Sequence, residues 1–186
     1  TVGVGAGWFF PGPDIFTPNT VSVRFRLKSG LTIEPTVNAS ISHSFVHTHT
    51  IVAGDRPSIA SRNYVANVRF AVQARKPMKR SGPGELHGIV TPFVDITDSA
   101  TNGFGSDDRV FDTTTTWALG WGLGVEYFPP KFEQHWSVSM DATNPLFAFV
   151  YDTTYDQASN SRTNSTTYSL GATFAPAVRG MAHLYF

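Results

Sequence analysis

The stretch Trp117-Ala118-Leu119-Gly120-Trp121-Gly122-Leu123-Gly124-Val125-Glu126-Tyr127 alternates without a slip: every odd position is large and apolar, and the even positions are Ala, Gly, Gly, Gly and Glu. Successive side chains of a strand point to opposite faces, so this run is a strand with one apolar face and one face of small residues ending in a carboxylate. A soluble barrel or sandwich buries its apolar face and covers the other with Lys and Glu. A barrel in a bilayer turns the apolar face outward. Glycines suit a crowded lumen better than a solvated surface. Trp117 and Tyr127 close the apolar face at its two ends. Ten residues at about 3.3 Å each, tilted by about 40°, give a height of about 25 Å, that of an outer-membrane apolar band between two aromatic girdles.

The same period recurs along the chain. Val2 to Phe10 sets Val2, Val4, Ala6, Trp8 and Phe10 against Gly3, Gly5, Gly7 and Phe9; Val21 to Lys28 sets Val21, Val23, Phe25 and Leu27 against Ser22, Arg24, Arg26 and Lys28. Further alternating runs cover Leu31 to Ser42, Asn63 to Arg75, Leu86 to Thr97 and Trp136 to Ala142, and a last one keeps a single parity from about Asn164 to Phe186. The intervening segments are rich in Pro, Gly, Asn, Asp and Ser, and odd connections are longer than even ones. These runs predict an all-β fold, an eight-stranded antiparallel up-and-down transmembrane β-barrel, with residues 1–186 as a single domain.

Composition agrees with this reading. Among 186 residues, 14 Lys and Arg balance 14 Asp and Glu, which speaks against a nucleic-acid partner, and the absence of cysteine removes disulfides and thiol chemistry. The longest apolar run, Leu146 to Tyr151, is six residues, far short of the about 20 of a membrane-spanning helix. No charged segment followed by an apolar one opens the chain, and a secretory signal is expected to have been removed ahead of Thr1.

The segments Trp117 to Phe128, Trp136 to Ala142 and the terminal His183-Leu184-Tyr185-Phe186 resemble the eight-stranded bacterial outer-membrane barrels of the OmpA/OmpX-like superfamily. That resemblance implies location in the outer membrane of a Gram-negative cell envelope. It also implies both termini in the periplasm, contact with the lipid bilayer and lipopolysaccharide, and a final strand read by the barrel-assembly machinery through Leu184 and Phe186. The aromatic girdle is expected at Trp8, Trp117, Tyr127 and Trp136.

The lumen is expected to be plugged. A three-residue loop Ser29-Gly30-Leu31 would pair Leu27 with Ile33 and, inside, Arg26 with Glu34, since a buried Arg or Glu left alone costs several kcal/mol. Arg24, Arg69, Arg75, Asp95, Glu126 and Asp141 also face inward by parity, and the glycine tracks on the first and sixth strands leave them room. Other clusters have blander readings. His43, His47 and His49 could ligate a metal, yet no Cys or carboxylate stands at ligand spacing; His43 with Ser44 and Asp152 or Asp156 lacks the spacing of the lipid A-modifying enzymes; Asp107, Asp108 and Asp112 lack calcium-loop periodicity. The basic connection Arg75, Lys76, Lys79 and Arg80 reads as a solvated turn. The function expected is structural or surface-interacting and non-enzymatic, without a cofactor or metal, with an envelope protein partner possible. The alternatives are a small porin or transport component, or a lipid A-modifying enzyme.

Overall fold

In the computed structural model, residues 1–10, 18–49, 58–102, 109–130, 135–170 and 176–186 are described. They form β1 (Val2–Phe10), β2 (Thr20–Arg26), β3 (Thr32–His49), β4 (Ser58–Ser81), β5 (Gly84–Asn102), β6 (Arg109–Tyr127), β7 (Trp136–Asp156), β8 (Ser161–Leu170) and β9 (Ala177–Tyr185). Each strand pairs antiparallel with its neighbour from β1 to β7. β7 then pairs with β9, and β9 with β1, so the sheet closes on itself. β8 and β9 share one side of β7: Ser161–Leu170 runs along its upper half and Ala177–Tyr185 along its lower half. The wall therefore has eight positions, and the single-parity run expected from Asn164 to Phe186 fills the eighth as two strands. No helix among the described residues is long and apolar enough to cross a membrane.

The faces sort as parity requires. Val21, Val37, Phe70, Trp117, Leu123 and Tyr127 are exposed on the outside, while Arg24, Glu34, Arg75, Glu126 and Asp141 are buried inside. An apolar exterior around a charged interior is stable in hydrocarbon and not in water. Trp117 and Tyr127 stand on the outer face at the two ends of this apolar belt. Trp117 packs against Phe149 (5.3 Å), which in turn meets Tyr168 (5.0 Å) on β8. Trp136 sits at the same end as the chain termini, opposite Leu184, and Trp8, half-buried, lies opposite Gly180. Leu184 and Phe186 are exposed on the outer face.

Two expectations are corrected. The β2–β3 hairpin turns through Lys28-Ser29-Gly30, with Leu27 N–H donating to Leu31 O (2.9 Å) and Gly30 at φ +82°. Glycine takes that left-handed position at little cost, which sets the loop one residue earlier than expected and brings Phe25 opposite Ile33 and Val21 opposite Val37. The strands also outrun the apolar pattern. The basic connection expected at Arg75, Lys76, Lys79 and Arg80 is strand, with the turn at Gly82-Pro83, and at the opposite end β3 to β8 continue past the belt through Thr-, Ser- and Asn-rich sequence. β-branched Thr favours extended backbone whether or not anything is buried. The β7–β8 turn is fastened by Asp156, whose carboxylate accepts from Ser159 Oγ and Ala158 N (both 2.9 Å); these donors hold it below the ordinary carboxylate range.

The edge of the belt can be located by charge insertion. Leu123→Arg, on the outer face midway between the Tyr127 and Trp117 levels, should cost about 2–4 kcal/mol in reversible urea unfolding from lipid vesicles. Thr113→Arg, on the same face beyond Trp117, should cost no more than about 1 kcal/mol.

Candidate functional site

The lumen near the chain termini is filled by charge. Glu34 on β3 accepts from Arg24 Nε (2.9 Å) and Nη2 (2.6 Å) through Oε2, and His183 Nε2 (3.1 Å) and Arg179 Nη2 (3.2 Å) reach its Oε1. Glu126 on β6 accepts from Arg24 Nη1 (2.5 Å), Ser137 Oγ (2.6 Å) and Tyr185 Oη (2.6 Å), and from Arg26 Nη2 (3.0 Å). Asp141 on β7 accepts from Arg75 Nη1 (2.6 Å) and Arg179 Nη2 (2.7 Å), and Gln73 Oε1 from Arg179 Nη2 (2.6 Å). Arg24, Glu34 and Arg75 are 0 % exposed. Four guanidiniums, of Arg24, Arg26, Arg75 and Arg179, thus face four carboxylates, of Glu34, Glu85, Glu126 and Asp141. The assembly is neutral, as burial in a lumen walled off from water demands.

The glycines of β1 and β6 make room for it. A Cβ on Gly5 would overlap the His183 ring, one on Gly3 would lie 2.7 Å from Tyr185 Cδ1, and one on Gly124 would overlap Asp141. The glycine tracks are thus the space into which the polar side chains of the other strands fold.

The expected Arg26–Glu34 pair is replaced. The two-residue shift of hairpin pairing sets Glu34 beside Arg24 instead, and Arg26 turns to Glu85 (3.2 Å) and Glu126 (3.0 Å), its guanidinium over the Phe128 ring (4.5 Å). Arg75, expected in a basic turn as well as in the lumen, belongs to the plug, while Lys76, Lys79 and Arg80 are exposed. The inner odd positions of the last strand, Arg179, His183 and Tyr185, complete the network. Parity alone could have placed them there, together with Glu85 and His87. Those two and Glu126 have ligand atoms within 4.8 Å of one another, but Arg26 already bridges both carboxylates, so the trio is part of the ion network.

Above the plug lies a chamber of about 220 Å³. Its floor includes Arg179 and Gln73, and Arg69 stands across its far side, sandwiched between the rings of Phe9 (4.3 Å) and Phe93 (4.4 Å) and paired with Asp95.

The other candidates can be placed only where their residues are described. His43 packs on Tyr64 (5.0 Å), and Ser44, its neighbour on one strand, faces the opposite side. The side chains of His47 and His49 and the residues Asp107 and Asp108 lie outside the described set, and Asp112 is built into β6.

The fold and the inward charge define a membrane-type antiparallel β-barrel. Among solved structures the chain is similar to a major outer membrane protein of Thermus thermophilus, with 13% identity over 100% of this chain and 97% of that one and a TM-score of 0.57. At that identity the likeness is one of fold. No protein-family model matches the sequence. No curated protein matches it either.

Glu34→Gln removes the anion that Arg24, Arg179 and His183 share. It should destabilise the barrel by about 3–5 kcal/mol, the cost of stranding a buried charge, read by urea unfolding in vesicles. The companion Arg24→Met, Glu34→Gln double variant should lose less than the sum of the single losses.

Proposed function

We propose that the chain is an integral protein of a bacterial outer membrane, of the OmpA/OmpX-like type, with a structural or surface-interaction role and no catalytic chemistry of its own. The observation that carries this reading is the neutral ion network, buried at its centre, that crosses the lumen from β2 and β4 to β6 and β7 and occupies the path a solute would take along the axis. The small-porin reading needs that path open. Support for a surface role comes from the strands beyond the belt. β3 to β8 extend past it as a polar sheet, and among the described residues 40–49 of β3 and Ser161–Leu170 of β8 have ladder partners on one side only. Free strand edges offer unpaired N–H and C=O groups to a partner. In this reading the girdle residues Trp8, Trp117, Tyr127 and Trp136 anchor the barrel among bilayer and lipopolysaccharide headgroups, and Leu184 and Phe186 present the outer face read during assembly.

Planar-bilayer recording should show no steady open state, and lipid A from cells with and without the protein should have the same acyl composition by mass spectrometry. A sustained large conductance overturns the plugged reading, and a changed acyl count overturns the non-enzymatic one.

A further inference from the structure

Between the plug and Arg69, the β4–β5 ladder lacks two rungs while its register stays continuous. The β4–β5 ladder runs from Asn63↔Thr101 to Ala71↔Phe93, then resumes only at Ala74↔Val90, so the rungs at Val72/Pro92 and Gln73/Thr91 are missing. Proline has no N–H to give to a ladder, and Pro92 stands at the gap. Pro35 interrupts the β2–β3 ladder in the same way, between Ser22↔Thr36 and Phe25↔Ile33. The two prolines lie on one row around the barrel, each paired on its other side: Pro35 with Val72 and Pro92 with Leu119.

An apolar groove of about 590 Å³ lies on the outer face along this row, lined by Pro35, Val37, Phe70, Val72, Pro92 and Leu119 among others. Its level is set by Phe70, Val94 and Trp117, which follow one another across the sheet. The groove thus falls inside the belt, on the Trp117 side. Thr36, Ala71 and Phe93 line both this groove and the lumen chamber. These side chains, on the last complete row Thr36↔Ala71↔Phe93 directly beside the two missing rungs, therefore divide hydrocarbon from chamber.

The chamber side of the partition is polar and under-satisfied. Arg179, 4 % exposed, lines the chamber with Nε and Nη1 lacking any hydrogen-bond partner, and the buried Thr91 Oγ1, also in the lining, has none. A buried donor without an acceptor costs about 1–3 kcal/mol, more for a charged group. An acceptor delivered to this spot would recover that. The groove offers apolar surface to a tail, and the chamber offers the unpartnered guanidinium donors of Arg179 and a hydroxyl to a head.

We propose that the gap between β4 and β5 is a lateral portal, and that groove and chamber together bind a single-chain amphiphile with an anionic head, such as a long-chain carboxylate. Its chain lies along Pro35, Val72 and Pro92 and its carboxylate accepts from Arg179 Nη1 and Thr91 Oγ1. The proposal rests on the plugged reading above, since the ion network closes the chamber from below, and the row Thr36, Ala71 and Phe93 offers it a side entrance. Phe93 packs on Arg69 and belongs to the partition, so its ring is the element that must turn for the head to pass.

The test uses the whole protein folded into phosphatidylcholine vesicles and two hexadecanoate photoprobes, one with a diazirine near the carboxylate and one with it at the chain end. The head probe should label Thr91 or Phe93 saturably, and the end probe should label outer-face residues. Unlabelled hexadecanoate should compete, hexadecanol at least tenfold less well, and acetate not at all. Thr91→Val, isosteric and lacking only the hydroxyl, should weaken head-probe labelling several-fold. Ala71→Trp, filling the partition, should abolish it while the barrel keeps its heat-modifiable mobility on gels. Labelling confined to the outer face and not saturable means lipid lying along the wall, and overturns the portal. So does head-probe labelling unchanged in Ala71→Trp, or equal competition by hexadecanol. Conductance is measured on the same preparation, so an open axial pore is recognised separately from failure of the lateral site.

Discussion

Glu34 sits at the point where the barrel's charges converge. It is fully buried, it is held by Arg24 from β2, Arg179 and His183 from β9, and Arg75 from β4 stands 3.6 Å away. A carboxylate taken out of water must be surrounded by donors, and in a closed sheet those donors can come only from other positions of the wall. The contact between Glu34 and His183 spans 149 residues, so satisfying it requires the last strand to be in place beside the first. Closure of the sheet and neutralisation of the lumen are therefore one event. The outer face supplies no such specificity, because apolar side chains pack against fluid lipid in many registers. Register here is fixed from within.

That division explains how glycine is used. On β1 and β6 the inner face is stripped of side chains at Gly3, Gly5, Gly7, Gly120, Gly122 and Gly124, and the long polar groups of β2, β4 and β9 fill the volume. The tryptophans of the same two strands, Trp8, Trp117 and Trp121, take the opposite, outer face, and Phe9 is the large side chain that β1 turns inward, over Arg69. A strand that is small inside and large outside is the form a narrow lumen imposes when it must hold four guanidiniums.

This is why the architecture was legible in the sequence and the plug only in part. Period-two alternation is a local signal, and the stretch from Trp117 to Tyr127 states both the strand and which face meets lipid. Inward placement of Arg24, Arg75, Glu126 and Asp141 followed from parity. Which charge meets which depended on one glycine: Gly30 at φ +82° moves the hairpin pairing by two residues and exchanges Arg26 for Arg24 as the partner of Glu34. Strand length was illegible for a different reason. Beyond Trp117 toward the loops nothing apolar need be buried, so Thr113 to Thr116 carry no alternation in hydrophobicity although their backbone stays paired with β5 and β7. The break between β8 and β9 is hidden similarly, since parity runs through both.

The prolines show where this wall departs from regularity. A strand in a bilayer satisfies every backbone group through its neighbours, and each missing rung costs what hydrocarbon charges for an unpaired amide or carbonyl. Pro35 and Pro92 remove donors on one row, and Pro145 stands beside the register shift at Leu119/Gly120 where β6 meets β7. At the Pro35 gap the rung that is lost lies beside Arg24 and Glu34, whose side chains tie β2 to β3 by a buried ion pair instead. At the Pro92 gap no such pair bridges β4 and β5, and the nearest, Arg69 with Asp95, stands beyond the chamber. The lower lumen is thus cross-braced by charge at the rung its backbone lacks, whereas between β4 and β5 the bracing pair, Arg69 with Asp95, stands one inner-face position beyond Ala71 and Phe93. The rungs that β4 and β5 lack thus lie next to the row whose side chains, Thr36, Ala71 and Phe93, divide apolar surface from unpaired donors.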